Sequence, residues 1–162
     1  RMRGELEVPG FSTYLHPIDG QKLLAVGRSG IDFGIKLSLF DVSDPDWPRA
    51  IDEYNEGGGA AESEALTEHR AFRYIDDQNL LFLPITTAFS DSLHVYGVDP
   101  GWGFDPRGQI SHSGMAESSS SATVRRAYRV GDFLYAYSAA GVSVTHMDTL
   151  QDVARIDLTD AN

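Results

Sequence analysis

Cysteine is absent from the 162 residues, which excludes disulfides and thiolate metal sites. Long apolar runs are absent too, and no stretch approaches the roughly 18 residues that would cross a bilayer as a helix. Positive charge is scarce. Lys and Arg number 13 against 24 Asp and Glu, for a formal net charge of −11. Such a chain repels phosphate backbones and anionic membrane surfaces, so neither nucleic acid nor membrane insertion is expected. Sustained helical periodicity is missing; the best candidate, Ala61–His69, is short and polar and reads as an ordered loop with one turn. H-E-x-x-H, G-x-S-x-G and the Asp-x-Asp-x-Asp-Gly loop do not occur, so no local signature selects a zincin, a serine hydrolase or an EF-hand. No signal peptide is visible, although Arg1-Met2-Arg3-Gly4 does not read as a natural start.

What is present is strand-and-turn sequence. Apolar residues make up 41% and charged residues 23%, an ordinary globular balance. The apolar runs are short, rich in β-branched and aromatic residues, and bounded by Gly, Pro, Asp and Ser. Laid against itself, the pattern repeats. The first unit holds Tyr14–Ile18, Leu23–Val26, Lys36–Val42 and Ala50–Tyr54. The second holds Ala71–Ile75, Leu80–Pro84, Ser92–Val98 and Gly108–His112. The third holds Ala127–Val130, Phe133–Tyr137, Val142–Met147 and Val153–Leu158. Leu24, Leu81 and Leu134 align in the second strands, Leu37, Leu93 and Val142 in the third, and Ile51, Ile110 and Ile156 in the fourth.

Units of roughly 40–50 residues with four strands each are the signature of propeller blades. The fold expected is all-β: a β-propeller segment of about three four-stranded blades, spanning 12–55, 69–113 and 124–159, plus one orphan outer strand at 5–8 from a preceding blade. All of 1–162 then belongs to one propeller domain. Asp44-Pro45-Asp46-Trp47-Pro48 and Asp99-Pro100-Gly101-Trp102-Gly103 read as matching third-to-fourth turns, each Trp folding back over its blade. Glu56–Glu68, with Gly57-Gly58-Gly59, and Ser113–Thr123, with Ser118–Ser121, read as mobile crossings between blades. Three blades leave two open flanks, to be covered by the rest of a longer propeller or by another copy.

Three runs carry a family resemblance: Gly4-Glu5-Leu6-Glu7-Val8-Pro9-Gly10-Phe11-Ser12-Thr13-Tyr14-Leu15-His16-Pro17, Lys36-Leu37-Ser38-Leu39-Phe40-Asp41-Val42-Ser43-Asp44-Pro45, and Glu68-His69-Arg70-Ala71-Phe72. The chain resembles secreted bacterial and archaeal proteins with a C-terminal β-propeller domain distantly related to WD40 repeats. That resemblance implies export or display at the cell surface, a noncatalytic scaffold and a longer domain. It implies no catalytic residues.

The residues themselves offer weak candidates for chemistry. His16, His69 and His112 border strand ends and crossings, where they would approach one another across one face and hold a metal. Asp41, Asp44 and Asp46 supply oxygens for calcium, or simply form the turn. No cofactor is required by any of them. Glu62, Glu64, Glu68 and Glu117 are the carboxylates from which a glycosidase pair would be drawn. The favoured reading is an interaction or scaffold domain that contacts protein or glycan at the cell exterior. The alternative is a polysaccharide hydrolase or lyase with its site at the channel mouth, which clustering of Glu68, His69 and Glu117 in a deep polar pocket would favour.

Overall fold

The computed structural model describes residues 3–115 and 122–158, and among these the chain forms three antiparallel sheets of four strands. Blade 1 is β1 (Phe11–Ile18), β2 (Lys22–Arg28), β3 (Ile35–Asp41) and β4 (Arg49–Glu56). Blade 2 is β5 (Arg73–Ile75), β6 (Leu80–Thr86), β7 (Asp91–Asp99) and β8 (Gly103–Ser111). Blade 3 is β9 (Arg126–Val130), β10 (Phe133–Tyr137), β11 (Gly141–His146) and β12 (Asp152–Asp157). Within each sheet the strands pair in chain order. The fold is thus a partial β-propeller. Apart from Ala122, helix among the described residues is confined to three short 3₁₀ turns at Gly58–Ala60, Glu64–Leu66 and His69–Ala71.

The repeat extends to irregularities. The third-to-fourth strand ladder bulges between Leu39 and Phe40, between Val95 and Tyr96, and between Val144 and Thr145. These are equivalent positions in the three blades. Two alignments read from the sequence need correction. The first hairpins close on Ile18↔Lys22, Ile75↔Leu80 and Val130↔Phe133. Their turns therefore differ in length, and Leu24 matches Phe82 and Tyr135 rather than Leu81 and Leu134. A one-residue slip moves a strand side chain to the opposite face. In the fourth strands Tyr54, not Ile51, is the counterpart of Ile110 and Ile156, because these three sit opposite Leu37, Leu93 and Val142.

With the register corrected, the packing follows one rule. Leu24, Leu37 and Leu39 of blade 1 meet Leu81, Leu83, Tyr96 and Val98 of blade 2 in a first core. Their equivalents Phe82, Leu93 and Val95 point the other way and meet Leu134, Ala136 and Met147 of blade 3 in a second. Blade 2 is buried on both faces, each strand serving two joints by alternation. In blade 3 the same positions have no described neighbour. Val130, the counterpart of buried Ile18 and Ile75, is exposed, and so is Ile156.

Residues 5–8 carry no strand. The segment runs across blade 1 from Arg3, which pairs with Asp46 at 2.7 Å, to Pro9, whose carbonyl accepts from Lys36 Nζ at 2.7 Å. A lone outer strand has no ladder to join here, so it lies as an extended cover. The first crossing is also more tightly held than its composition suggests. Ala61 and Ala65 are buried in the first core. Ser63 Oγ donates to the Pro84 carbonyl at 2.6 Å, and Glu62 bridges Thr86. Arg28 donates to the Ala61 carbonyl at 2.5 Å and pairs with Glu62. Ser118–Ser121 lies outside the described residues.

The two tryptophans do not fold back. Trp47 is 79% exposed and Trp102 87%. Each turn is closed by its own hydrogen bonds, Trp47 N–H to the Asp44 carbonyl at 3.1 Å and Trp102 N–H to the Asp99 carbonyl at 3.2 Å. The backbone is satisfied without the indole, which is left in solvent.

Candidate functional site

Antiparallel meanders sort the connections to two ends. The β2–β3, β4–β5, β6–β7 and β8–β9 links share one end, and there a cleft of about 530 Å³ opens over blade 2. Its floor comes from the ends of β6, β7 and β8: Thr86, Asp91, Ser92, Gln109 and Ser111. Its wall is the β6–β7 loop, Thr87–Ser90. That loop is a compact hydroxyl-bonded turn. Thr87 N–H donates to the Ser90 carbonyl at 2.7 Å, and the Phe89 and Ser90 N–H groups donate to Thr87 Oγ1 at 3.2 and 3.0 Å. The result holds Phe89 out at 99% exposure.

The floor is pre-organised. Asp91 accepts from the Thr86 hydroxyl on one oxygen and from Thr123 Oγ1 on the other, the latter at 2.5 Å. Ser92 Oγ donates to Gln109 Oε1 at 3.0 Å, which turns the Gln109 amide so that its nitrogen is left to donate. Among the described residues that nitrogen has no bonded acceptor. A carboxylate with both oxygens engaged by hydroxyls is a poor general base and a fixed acceptor. Among the described residues the lining contains no Lys, Arg or His.

The histidines proposed for a metal do not converge. His16 and His69 both pack on Tyr14, with ring centroids 6.3 and 6.1 Å away, and His16 also meets Phe72 and Tyr74. Burial there pushes His16 below its ordinary range, and raises the Tyr74 hydroxyl to about 12. His112 is elsewhere, fully buried beside blade 3, its Nδ1 2.7 Å from Ser138 Oγ and its Nε2 2.8 Å from Ser143 Oγ. Burial lowers its proton affinity, and the charge of Arg155 adds to that. Asp44 forms its turn, accepting from the Asp46 N–H at 2.9 Å. Asp41 is engaged by Ser43 and Arg49, and Asp46 by Arg3. Ser43 Oγ–H and N–H, with Arg49, hold the Asp41 carboxyl far below the usual carboxylate range. Among the described residues, no group of three or more His, Asp or Glu side chains is arranged to hold a metal ion.

The loop acids are likewise dispersed. Glu62 pairs with Arg28, and Glu64 with Arg126 at 3.0 Å. Glu68 is drawn below the carboxylate range, chiefly by the Arg70 N–H, the opposite of what a general acid needs. Its neighbour His69 is 3.7 Å away and exposed. Neither lines the cleft over blade 2. Glu117 lies outside the described residues. Sequence reasoning missed both the cleft and a second polar network, in which Tyr96 Oη donates to Glu56 at 3.1 Å beside buried His94. His94 Nε2 has no partner among the described residues.

Four-stranded meanders stacked face to face, with a cleft where their connecting loops gather, define a β-propeller domain. A family model described as "Beta propeller domain" matches residues 1–150, and the chain belongs to that family. It is 27% identical over 157 residues, 97% of its length, to an uncharacterized protein of Methanocaldococcus jannaschii, of which it covers 23%. It is 43% identical over 83 residues, half of its length, to an uncharacterized protein of Archaeoglobus fulgidus, of which it covers 12%. The chain therefore spans less than a quarter of the length of these relatives.

Proposed function

We propose that this chain is a noncatalytic interaction segment of a secreted or cell-surface β-propeller protein, presenting its β2–β3 and β6–β7 loops to protein or glycan at the cell exterior. Export and a distant kinship with WD40 repeats belong to the same proposal. So does coverage of the exposed flanks of blades 1 and 3 by further blades of the parent protein, for which the greater length of the relatives speaks. The observation that carries the reading is at the loop tips. Ile31 and Phe33 on blade 1 and Phe89 on blade 2 are exposed at the same end. Ile31 and Phe33 lie on the β2–β3 loop and Phe89 on the β6–β7 loop, at one end of the sheets rather than on the faces through which blades pack. Phe33 holds φ at 58°, a left-handed conformation that costs a residue with a Cβ about 1–2 kcal/mol. Apolar side chains held in solvent on strained or tightly bonded loops mark contact surfaces.

The test uses the intact protein immobilised against fractionated extracellular proteins and glycans. Specific retention that is lost in a Phe33→Ser, Phe89→Ser variant supports the reading. Release of reducing ends from a polysaccharide, abolished by Glu68→Gln or His69→Ala, would replace it with a hydrolase.

A further inference from the structure

We propose that the cleft over blade 2 binds a neutral sugar residue of a glycan, with the ring stacked on Phe89 and its hydroxyls bonded to Gln109, Asp91 and Ser111. This rests on the interaction reading above and names the ligand class for one of its loops. The cavity, about 530 Å³, lies within the roughly 300–1,000 Å³ of small-ligand sites.

The chemistry of the lining narrows the occupant. Six of its eleven described lining residues carry a hydroxyl and one an amide, and these exchange hydrogen bonds with a ligand that both donates and accepts at closely spaced positions. A sugar does this. With no cationic side chain among the described lining residues and an Asp at the centre, a phosphate, sulfate or uronate would meet repulsion without compensation. A hydrocarbon tail would leave the floor's polar groups unsatisfied. Among the described residues a calcium ion would find one carboxylate, that of Asp91.

Phe89 completes the site. A fully exposed aromatic ring beside a polar cleft offers its electron-rich face to the slightly positive C–H groups of a pyranose. The loop that carries it is braced by five hydrogen bonds between Thr87 and the Phe89–Ser90 pair. Little conformational freedom is then lost when a ligand docks. The floor is equally fixed, since Asp91 and the Gln109 carbonyl oxygen are held by Thr86, Thr123 and Ser92 before any ligand arrives.

The experiment displays the intact protein on an array of neutral oligosaccharides (glucan, mannan and galactan series) with uronate and sulfated glycans alongside. The expected result is retention of at least one neutral series. Phe89→Ala should weaken it about tenfold, the scale of one aromatic contact. Gln109→Ala should weaken it about fivefold, the scale of one neutral hydrogen bond. Phe89→Trp should retain it. Phe89 is in solvent, so its variants should keep the parent's thermal midpoint and separate binding from folding. Retention unaffected by Phe89→Ala, a preference for acidic glycans, or no neutral glycan held above the level of the Phe33→Ser, Phe89→Ser variant overturns the inference. Capture of a defined extracellular protein that Phe89→Ala abolishes, without glycan binding, would overturn it while leaving the interaction reading intact.

Discussion

Replacing His112 by alanine should be among the most costly changes available in the joint between blades 2 and 3. The ring is fully buried and both nitrogens are engaged, at 2.7 Å to Ser138 Oγ and 2.8 Å to Ser143 Oγ. It joins the residue that follows β8 to the β10–β11 link and to β11. Removing it deletes two hydrogen bonds of about 1 kcal/mol each, and leaves buried hydroxyls whose desolvation costs about 1–3 kcal/mol apiece. Ser138 keeps a use for its oxygen, which also accepts from the Ala140 N–H at 3.2 Å. Ser143 has no such second bond among the described residues. The ring-sized void adds to the loss. The sum is about 3–5 kcal/mol, to be read from urea unfolding of the intact protein by the emission of nearby tyrosines. His112→Phe fills the void but orphans the hydroxyls, and Ser143→Ala added to it should recover about 1–2 kcal/mol. A loss under about 1 kcal/mol for His112→Ala, or no recovery in the double variant, would refute the assignment of this pair of bonds as the joint's polar lock.

The same ring predicts a pH dependence. Burial lowers the proton affinities of His16, His94 and His112. The unfolded chain therefore takes up protons near pH 6.5 while the folded one resists until lower. The histidine contribution is full above about pH 6.5 and falls as pH drops below it; a thermal midpoint that rises from pH 7 to pH 5.5 would contradict this. Gly103→Ala should weaken the joint between blades 1 and 2, because φ is +111° and a Cβ would lie 2.1 Å from Asp52 Oδ2. About 2–4 kcal/mol is expected, and unchanged stability would show that Asp52 swings away from the Phe104 N–H it now accepts at 2.9 Å. Amide exchange at Ala61 and Glu62 should be slow in the parent and accelerated by Arg28→Ala, which removes the bond to the Ala61 carbonyl; fast exchange in the parent would mean the crossing is looser than its contacts.

Much of the architecture was legible because strand alternation and turn residues are local signals. All twelve described strands overlap the segments read from the pattern. Which face each side chain takes was not legible, because it depends on turn length. The turn between Ile75 and Leu80 is longer than the one between Ile18 and Lys22, and that difference sends Leu81 toward blade 1 while Leu24 points to blade 2. The anchoring of the first crossing was hidden as well. Ala61 and Ala65 are small residues in a polar stretch, and their burial arises from a notch between sheets that composition does not report. The cleft escaped for a related reason: its Thr, Ser and Gln residues come from three strand ends and a loop, and each alone is an ordinary surface residue. The outward tryptophans show the converse, since a large apolar side chain in a turn carries no local sign of whether a core will reach it.

The alternation in β6 has a consequence for how such a chain can change over time. Phe82 answers only to blade 3, and its sequence neighbours Leu81 and Leu83 answer only to blade 1. A substitution at one of these positions poses a fitting problem to one neighbouring sheet and is invisible to the other. Compensation is then pairwise: an altered Phe82 is accommodated from Leu134 or Met147, and an altered Leu83 from Leu24 or Leu39. Adjacent codons in a single strand thus belong to separate histories, and a run of blades can drift far apart in sequence while every joint along it stays closed.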